Sequence, residues 1–230
     1  LYNNLPMDIS RKLVLNVVFL VLLGSCSSDD LTSTDNPIIE PEADIDLIID
    51  GRHVVTMDLE NTIISNGSVA IDDGVVIDVG TRKNIHNKYS SPEIIDGSNR
   101  VVLPGLINGH GHAAMTLLRG VADDLSLMDW LTNYIFPAEV EFVDAEFVRI
   151  GTELACWEMV RGGTTTFVDM YYFPDAIAGV VEECGLRALI SATVIDQPSP
   201  DAENADDSIN KGIGFVERWS NRNARITPIF

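Results

Sequence analysis

Short apolar runs separated by turn residues dominate the chain between residues 45 and 105. Apolar segments lie at 46–50 and 53–57 on either side of Gly51, and at 68–72 and 75–79 on either side of Asp73-Gly74. An Asp-Gly pair between apolar runs is typical of a tight β-hairpin turn, and an isolated Gly often separates strands. Further short runs lie at 94–95 and 101–103. The pattern predicts a small domain of short strands.

From about residue 101 the pattern changes to alternating strands and helices. Apolar or β-branched runs predict strands, and apolar positions at helical spacing predict helices. The predicted strands are 101–108, 164–170, 188–195 and 225–230, and the predicted helices are 144–161, 174–183 and 205–219. We expect the first helix to bury Phe147, Ile150, Leu154 and Trp157, and the last to bury Ile209, Ile213 and Val216. Such alternation predicts a parallel sheet, either doubly wound or a (β/α)8 barrel.

The first 26 residues have the pattern of an export signal. Arg11 and Lys12 precede an apolar stretch, Leu13 to Leu23, interrupted only by Asn16. As a helix this stretch would span about 16 Å, roughly half the hydrocarbon core of a bilayer, so it is typical of a signal peptide and not of a membrane-spanning helix. It ends at Cys26 in Leu-Gly-Ser-Cys, which resembles a bacterial lipobox. We expect Cys26 to be lipidated; an ordinary secretory signal that contains a Cys is the alternative.

Composition supports a folded chain and excludes one class of partner. The 230 residues are 46% hydrophobic and 22% charged, as in globular proteins. The net charge of −20 argues against nucleic-acid binding, because affinity for phosphates comes largely from Lys and Arg. Three widely spaced cysteines do not form a disulfide framework or a zinc finger, and we expect Cys156 and Cys184 to be core thiols.

Two histidines directly follow the strand predicted over 101–108. In His110-Gly111-His112 the imidazoles stand at positions i and i+2, which point to the same side of a strand. They can therefore converge on one metal ion, and neutral imidazole suits zinc or iron. The motif is weak alone, but a strand end is where α/β barrels place their chemistry.

The surrounding sequence resembles the amidohydrolase superfamily. Pro-Gly-Leu-Ile-Asn-Gly-His-Gly-His at 104–112 is similar to the metal motif of its first barrel strand, and 162–171 is similar to the second strand. Ala-Ala-Met-Thr-Leu-Leu-Arg-Gly-Val-Ala-Asp-Asp-Leu at 113–125, followed by Trp130-Leu131, resembles the S-adenosylhomocysteine/5-methylthioadenosine deaminase and chlorohydrolase branch. The resemblance extends over about residues 44–230.

The resemblance implies a fold and a set of site residues. The fold would be α/β, with the N-terminal half of a metal-dependent (β/α)8 barrel at 104–230 preceded by part of a small β-sandwich at 44–103. The signal pattern, and not this resemblance, makes residues 1–25 the lipoprotein signal, and the Ser-, Thr-, Asp-, Asn- and Pro-rich composition that follows predicts a flexible tether at 26–43. His110 and His112 would bind one divalent metal ion, zinc in preference to iron. Trp130 would line the substrate pocket, and Glu139 would accept hydrogen bonds from ribose hydroxyls.

The implied activity is hydrolytic deamination of an adenine nucleoside such as S-adenosylhomocysteine or 5-methylthioadenosine. An aminohydrolase or chlorohydrolase of another purine, pyrimidine or triazine ring is one alternative, and an inactive truncated lipoprotein is another. The family's other metal ligands and catalytic residues are expected beyond Phe230, and Ser191-Ala192-Thr193 stands where the family often carries an Arg. Partners would be a small nucleoside or heterocyclic amine, with the membrane reached only through a lipid anchor at the cell envelope, periplasmic or surface-exposed.

Overall fold

The computed structural model describes residues 41–230. The predicted signal peptide, Cys26 and most of the tether lie outside the described residues. Within residues 41–230, no helix combines the length and the apolar character needed to cross a bilayer.

The N-terminal part is built on three antiparallel strands, with short parallel strands paired to the first of them. Its elements are β1 (Ala43–Asp44), β2 (Leu47–Val55), β3 (Ile63–Asp72), β4 (Val75–Thr81), α1 (Arg82–Lys88), β5 (Tyr89–Ser90), β6 (Glu93–Ile95) and β7 (Val101–Val102). The main sheet has the order β4-β3-β2-β6, and β7 also pairs with β2. β1 and β5 form a separate parallel pair. The predicted region of short strands is thus confirmed.

Gly74 and Gly51 have different roles in this sheet, since a turn was predicted at the first and a break between strands at the second. The β3–β4 turn is the predicted hairpin, with Asp73 at φ 49° and Gly74 at φ 72°. Positive φ at both central residues is the geometry that favours Asp-Gly. The break predicted at Gly51 is wrong, because β2 runs through it as one strand. A Cβ at Gly51 would lie 2.9 Å from Val102 Cγ2, so glycine lets β7 pair closely with β2.

The C-terminal part contains a parallel four-stranded sheet. Its elements are β8 (Leu106–Gly111), a 3-10 turn (Ala113–Leu118), α2 (Leu127–Trp130), a π turn (Leu131–Ile135), α3 (Phe136–Phe142), α4 (Ala145–Gly162), β9 (Thr164–Tyr171), α5 (Pro174–Cys184), β10 (Arg187–Ala192), α6 (Ala205–Trp219) and β11 (Ile226–Ile229). The order is β11-β10-β9-β8, with every pair parallel. The α/β class and the parallel sheet are confirmed. In the described residues the sheet is open, and a closed barrel remains a prediction.

The single strand predicted over 101–108 is wrong. Val101–Val102 pairs with β2 in the first sheet, and Leu106–Gly111 pairs with β9 in the second. Pro104-Gly105 separates them, since proline lacks the N–H that a strand ladder needs. A Cβ at Gly105 would overlap the side chain of Thr165, so glycine permits the close passage of the chain at this crossing.

The helix ends agree with the sequence pattern better than the helix faces do. α4 begins after Asp144, whose side chain accepts the Phe147 N–H at 2.8 Å, and ends at Gly163 with φ 81°. Its expected apolar face is wrong in part, because Ile150 and Trp157 are 42% and 59% exposed, while Phe147 is partly buried and packs against the core. The buried face instead contains the smaller residues Val148, Gly151, Thr152, Ala155 and Cys156.

Close packing explains this buried face. A Cβ at Gly151 would overlap the backbone of Ala114, and the Thr116 hydroxyl donates to the Gly151 carbonyl at 2.8 Å. In α6 the face also differs, since Ile213 is 46% exposed while Gly212, Phe215 and Trp219 are buried. Both helices approach their neighbours through a glycine where the pattern favoured larger side chains.

Candidate active site

His110 and His112 lie side by side at the carboxyl end of β8. Their ring centroids are 5.1 Å apart and the rings are nearly perpendicular, at 83°. The spacing i, i+2 therefore brings the two imidazoles together, as the pattern predicts. Gly111 between them pairs with Asp169 of β9, and a Cβ at Gly111 would lie 3.2 Å from the Val168 carbonyl oxygen. A small residue lets this end of β8 lie close to β9.

A hydrogen bond determines which ring nitrogen of His112 is left without a proton. His112 Nδ1 lies 2.7 Å from the backbone carbonyl oxygen of Met170. A carbonyl oxygen can only accept, so Nδ1 carries the proton. In the neutral ring, Nε2 then keeps its lone pair. Donation of the second ring N–H to a carbonyl is the usual arrangement of a metal-binding histidine.

Asp169 is a fully buried carboxyl group beside this pair. Oδ1 accepts the Ala113 N–H at 2.9 Å, while Oδ2 has no hydrogen-bond partner among the described residues. Burial raises the pKa of Asp169 to about 6, against the lowering effects of the Ala113 N–H and of nearby His112. A buried carboxylate oxygen without a partner is costly, and such an atom is available to a proton or a cation.

A cleft of about 620 Å³ contains both histidines and Trp130. Trp130 ends α2 and is half-buried, so the cleft brings together three of the four site residues predicted for this region. Arg119 also lines it, and its guanidinium binds both carboxylate oxygens of Glu158 on α4, at 2.9 and 2.7 Å. The remaining wall includes Met115, Leu118, Ala122, Asp123, Asp124 and Leu125.

Glu139 lies outside this cleft, under two tyrosines. The hydroxyl of Tyr171 donates to Oε1 at 2.8 Å and that of Tyr172 to Oε2 at 3.1 Å, and Glu139 is 4% exposed. Burial raises the pKa of Glu139, although the two hydroxyl donors lower it. The ring of Tyr171 is 6.5 Å from that of His112, so Tyr171 links Glu139 to the histidine pair. Sequence reasoning missed this tyrosine pair.

Two histidines alone do not make a complete metal site. Among residues 41–230, no group of three or more His, Cys, Asp or Glu side chains is arranged to hold a metal ion. The described part of the chain therefore supplies two imidazole donors and a neighbouring carboxylate, and no full ligand set.

Comparison with known proteins assigns the family. Residues 101–228 match the amidohydrolase family, which is more than half of the chain. The chain belongs to the amidohydrolase family. The match begins at β7 and ends within β11, so it covers the histidine pair and the cleft.

Two curated relatives of this amidohydrolase are named as deaminases. It is 43% identical over 176 residues to a 5-methylthioadenosine/S-adenosylhomocysteine deaminase of Syntrophus aciditrophicus, covering 76% of this chain and 40% of that protein. It is 44% identical to a 5'-deoxyadenosine deaminase of Methanosarcina mazei, covering 76% of this chain and 39% of the relative. The chain thus spans about two fifths of the length of these relatives.

Solved structures agree with the fold. An adenosine deaminase from Xanthomonas campestris with bound zinc superposes with a TM-score of 0.78 at 36% identity, over 82% of this chain and 42% of that one. Atrazine chlorohydrolase from Arthrobacter aurescens, complexed with zinc, superposes with a TM-score of 0.66 at 19% identity, over 79% of this chain and 45% of that one. The second likeness concerns the fold alone.

Proposed function

We propose that this amidohydrolase is a metal-dependent hydrolytic deaminase of adenine nucleosides, of the S-adenosylhomocysteine and 5-methylthioadenosine class. The observation that carries the proposal is the pair His110 and His112, with the free nitrogen of His112 set by the Met170 carbonyl, in one cleft with Trp130. One relative named for both of these substrates and another named for 5'-deoxyadenosine support it. In the net reaction water replaces the amino group on the adenine ring, and ammonia leaves.

The donor set fits a divalent ion, zinc in preference to iron. Imidazole nitrogen binds either metal, and the zinc in the solved relative favours the first. His110 and His112 would hold the ion, with Asp169 beside them. When bound, a divalent ion supplies Lewis acidity, which makes water a usable nucleophile near neutral pH. The Met170 carbonyl keeps the His112 ring in one tautomer and orientation throughout.

Trp130 and Glu139 would hold opposite parts of the nucleoside. The indole offers a flat apolar surface in the cleft of the histidines, suited to a purine ring. Glu139 would accept the ribose hydroxyls, since each carboxylate oxygen has lone pairs beyond those used by Tyr171 and Tyr172. The cavity at Glu139 is only about 20 Å³ and is also lined by Phe136, Tyr172 and Gln197, so in this conformation it has room for about one water molecule and not for a ribose.

The test compares two histidines of the same chain. In the protein at the full length of its relatives, we expect His112→Ala to lose bound zinc and to lower ammonia release from 5-methylthioadenosine or S-adenosylhomocysteine by more than about 100-fold. His53→Ala is the matched control, because His53 lies on β2 in the other sheet. Zinc is measured by atomic absorption. Zinc-loaded protein that deaminates guanine or dechlorinates a triazine, but no adenine nucleoside, would contradict the substrate class.

We also propose that the protein is exported and anchored through a lipid on Cys26. The basic pair, the apolar stretch and the small residues before Cys26 support this. In cells fed a labelled fatty acid, we expect the protein to carry label and to sediment with membranes. Cys26→Ala should abolish both, and Cys184→Ala should leave both unchanged. Label that persists in Cys26→Ala would refute the anchor.

A further inference from the structure

Two cysteines that lie 28 residues apart in sequence meet on the helical layer. Cys156 lies on the buried face of α4, and Cys184 is the last residue of α5. Their Sγ atoms are 3.0 Å apart and share a hydrogen bond. A disulfide bond is about 2.05 Å long, so a movement of about 1 Å brings the sulfurs to bonding distance. We propose that Cys156 and Cys184 are a redox modification site, at which a disulfide joins α4 to α5.

The two thiols differ in access. Cys156 is 2% exposed, whereas Cys184 is half-buried and lines a cleft of about 400 Å³ together with Trp157 and Val160. An incoming disulfide therefore reaches Cys184 first. The hydrogen bond with Cys156 lowers the pKa of Cys184, and the thiolate is the form that attacks a disulfide. Cys184 is thus the attacking thiol, and Cys156 is the resolving one.

The exchange balances with a small disulfide as the oxidant. The Cys184 thiolate attacks one sulfur of the small disulfide RSSR, and one RS⁻ leaves from the mixed disulfide. Cys156 then loses its proton to that RS⁻, and its sulfur attacks Cys184 Sγ and displaces the second RS⁻, which takes up the proton that Cys184 released to solvent when it ionised. The two protein thiols lose two electrons in total, and RSSR is reduced to two thiols. The export proposed above would place the protein where such oxidants persist.

The disulfide would restrain α4, the helix that packs against the turn directly after the histidine pair. α4 packs against the 3-10 turn that directly follows His112, through the contact of Gly151 with Ala114. A disulfide over this span removes freedom from the unfolded chain, so we expect the oxidised form to melt about 5–10 °C higher than the reduced form. This inference does not depend on the proposed activity.

The experiment uses the whole chain carrying Cys26→Ala, which leaves two cysteines. Cystamine is the probe, because Glu153 and Glu183 line the cleft of Cys184 and favour a cationic disulfide. After alkylation of the remaining thiols and digestion, mass spectrometry should find the peptides of Cys156 and Cys184 joined within one chain. The melting temperature should rise and should return when dithiothreitol is added.

Single variants separate the two roles. Cys156→Ser should accumulate a stable cystamine adduct on Cys184, and Cys184→Ser should leave Cys156 unmodified. The proposal is overturned if the chain with both thiols keeps a cystamine adduct on Cys184 while Cys156 stays free. Cross-links only between chains, or two thiols that both stay reduced, would overturn it as well.

Discussion

Two buried carboxyl groups flank His112, and they differ in how they are satisfied. Glu139 accepts from Tyr171 and Tyr172, one hydroxyl at each oxygen. Asp169 has a donor at Oδ1 and, within residues 41–230, none at Oδ2. The unsatisfied oxygen makes Asp169 the costlier of the two to ionise, because a buried charge without partners is strongly disfavoured. The contribution of this ionisation to the free energy of unfolding therefore depends on pH.

Removal of the Asp169 charge should flatten part of the pH dependence of stability. The pKa of Asp169 is raised to about 6 in the folded chain, above its unfolded value of 3.8. The folded state then binds more protons than the unfolded state between those values, so stability falls as pH rises from about 4 to about 6. We expect Asp169→Asn, which keeps an acceptor for Ala113, to gain up to about 3 kcal/mol over the wild type between pH 4 and pH 7.

Urea unfolding at several pH values, with a chelator present, measures this difference. The comparison of variant with wild type cancels the other acidic groups, several of which have lowered pKa values and act in the opposite direction. A constant difference from pH 4 to pH 7 would mean that Asp169 is not protonated in that range.

At this scale the sequence predicts pairs within one strand better than contacts between distant residues. His110 and His112 were found because strand geometry alone brings positions i and i+2 together. Trp130 was placed by family resemblance, and the structure puts it in the same cleft. The tyrosines on Glu139 stand 32 and 33 residues further along, and only tertiary packing brings them there.

At the scale of elements, helix ends were predictable and helix faces were not. Ends depend on local signals such as the Asp144 cap and Gly163, and α6 begins and ends as predicted. Faces depend on what packs against the helix. The pattern predicts Trp157 in the core. Close packing against the 3-10 turn instead requires small residues on the buried face of α4. Trp157 lies on the exposed face, with the Arg161 guanidinium carbon 5.0 Å from the centroid of its ring. Helix α1 was missed because Ile85 is its only buried residue.

Gly151→Ala tests the close packing of α4. A Cβ there would overlap the Ala114 backbone, so the helix and the turn after His112 must separate. We expect a loss of about 1–3 kcal/mol in the free energy of unfolding. Gly179→Ala in α5 is the matched control, because a Cβ there meets nothing within 4 Å. It should be neutral or should stabilise by up to about 1 kcal/mol. Equal effects of the two changes, measured by urea unfolding, would contradict the packing argument.

At the scale of the molecule, the main feature is the exposed edge of the parallel sheet. In the described part of the chain β8 pairs only with β9, and Leu106 and Ile107 are 52% and 72% exposed. An apolar strand edge is a template for pairing with another chain, although the net charge of −20 opposes association. The alternation of strands and helices predicted the parallel sheet, but closure into a barrel depends on contacts outside the four strands described.

We expect a chain of these residues to self-associate through this edge at low micromolar concentration. Ile107→Lys should reduce the association, because a lysine on an edge strand opposes pairing. Leu59→Lys is the control, since Leu59 is 97% exposed in a turn away from that edge. Light scattering measures the mass. Equal reduction by both variants would indicate a charge effect and not an edge effect.

The loop at residues 103–105, where the chain passes from one sheet to the other, should not tolerate inserted residues. β7 and β8, which belong to different sheets, are joined by only three residues, and Gly105 lies against Thr165 with no room for a side chain. Loops usually tolerate added sequence. Here an added residue would shift the strand that carries His110 relative to β9. A library of short insertions across the chain should therefore show an intolerant gap at this loop, while the exposed turn around Leu59 accepts them.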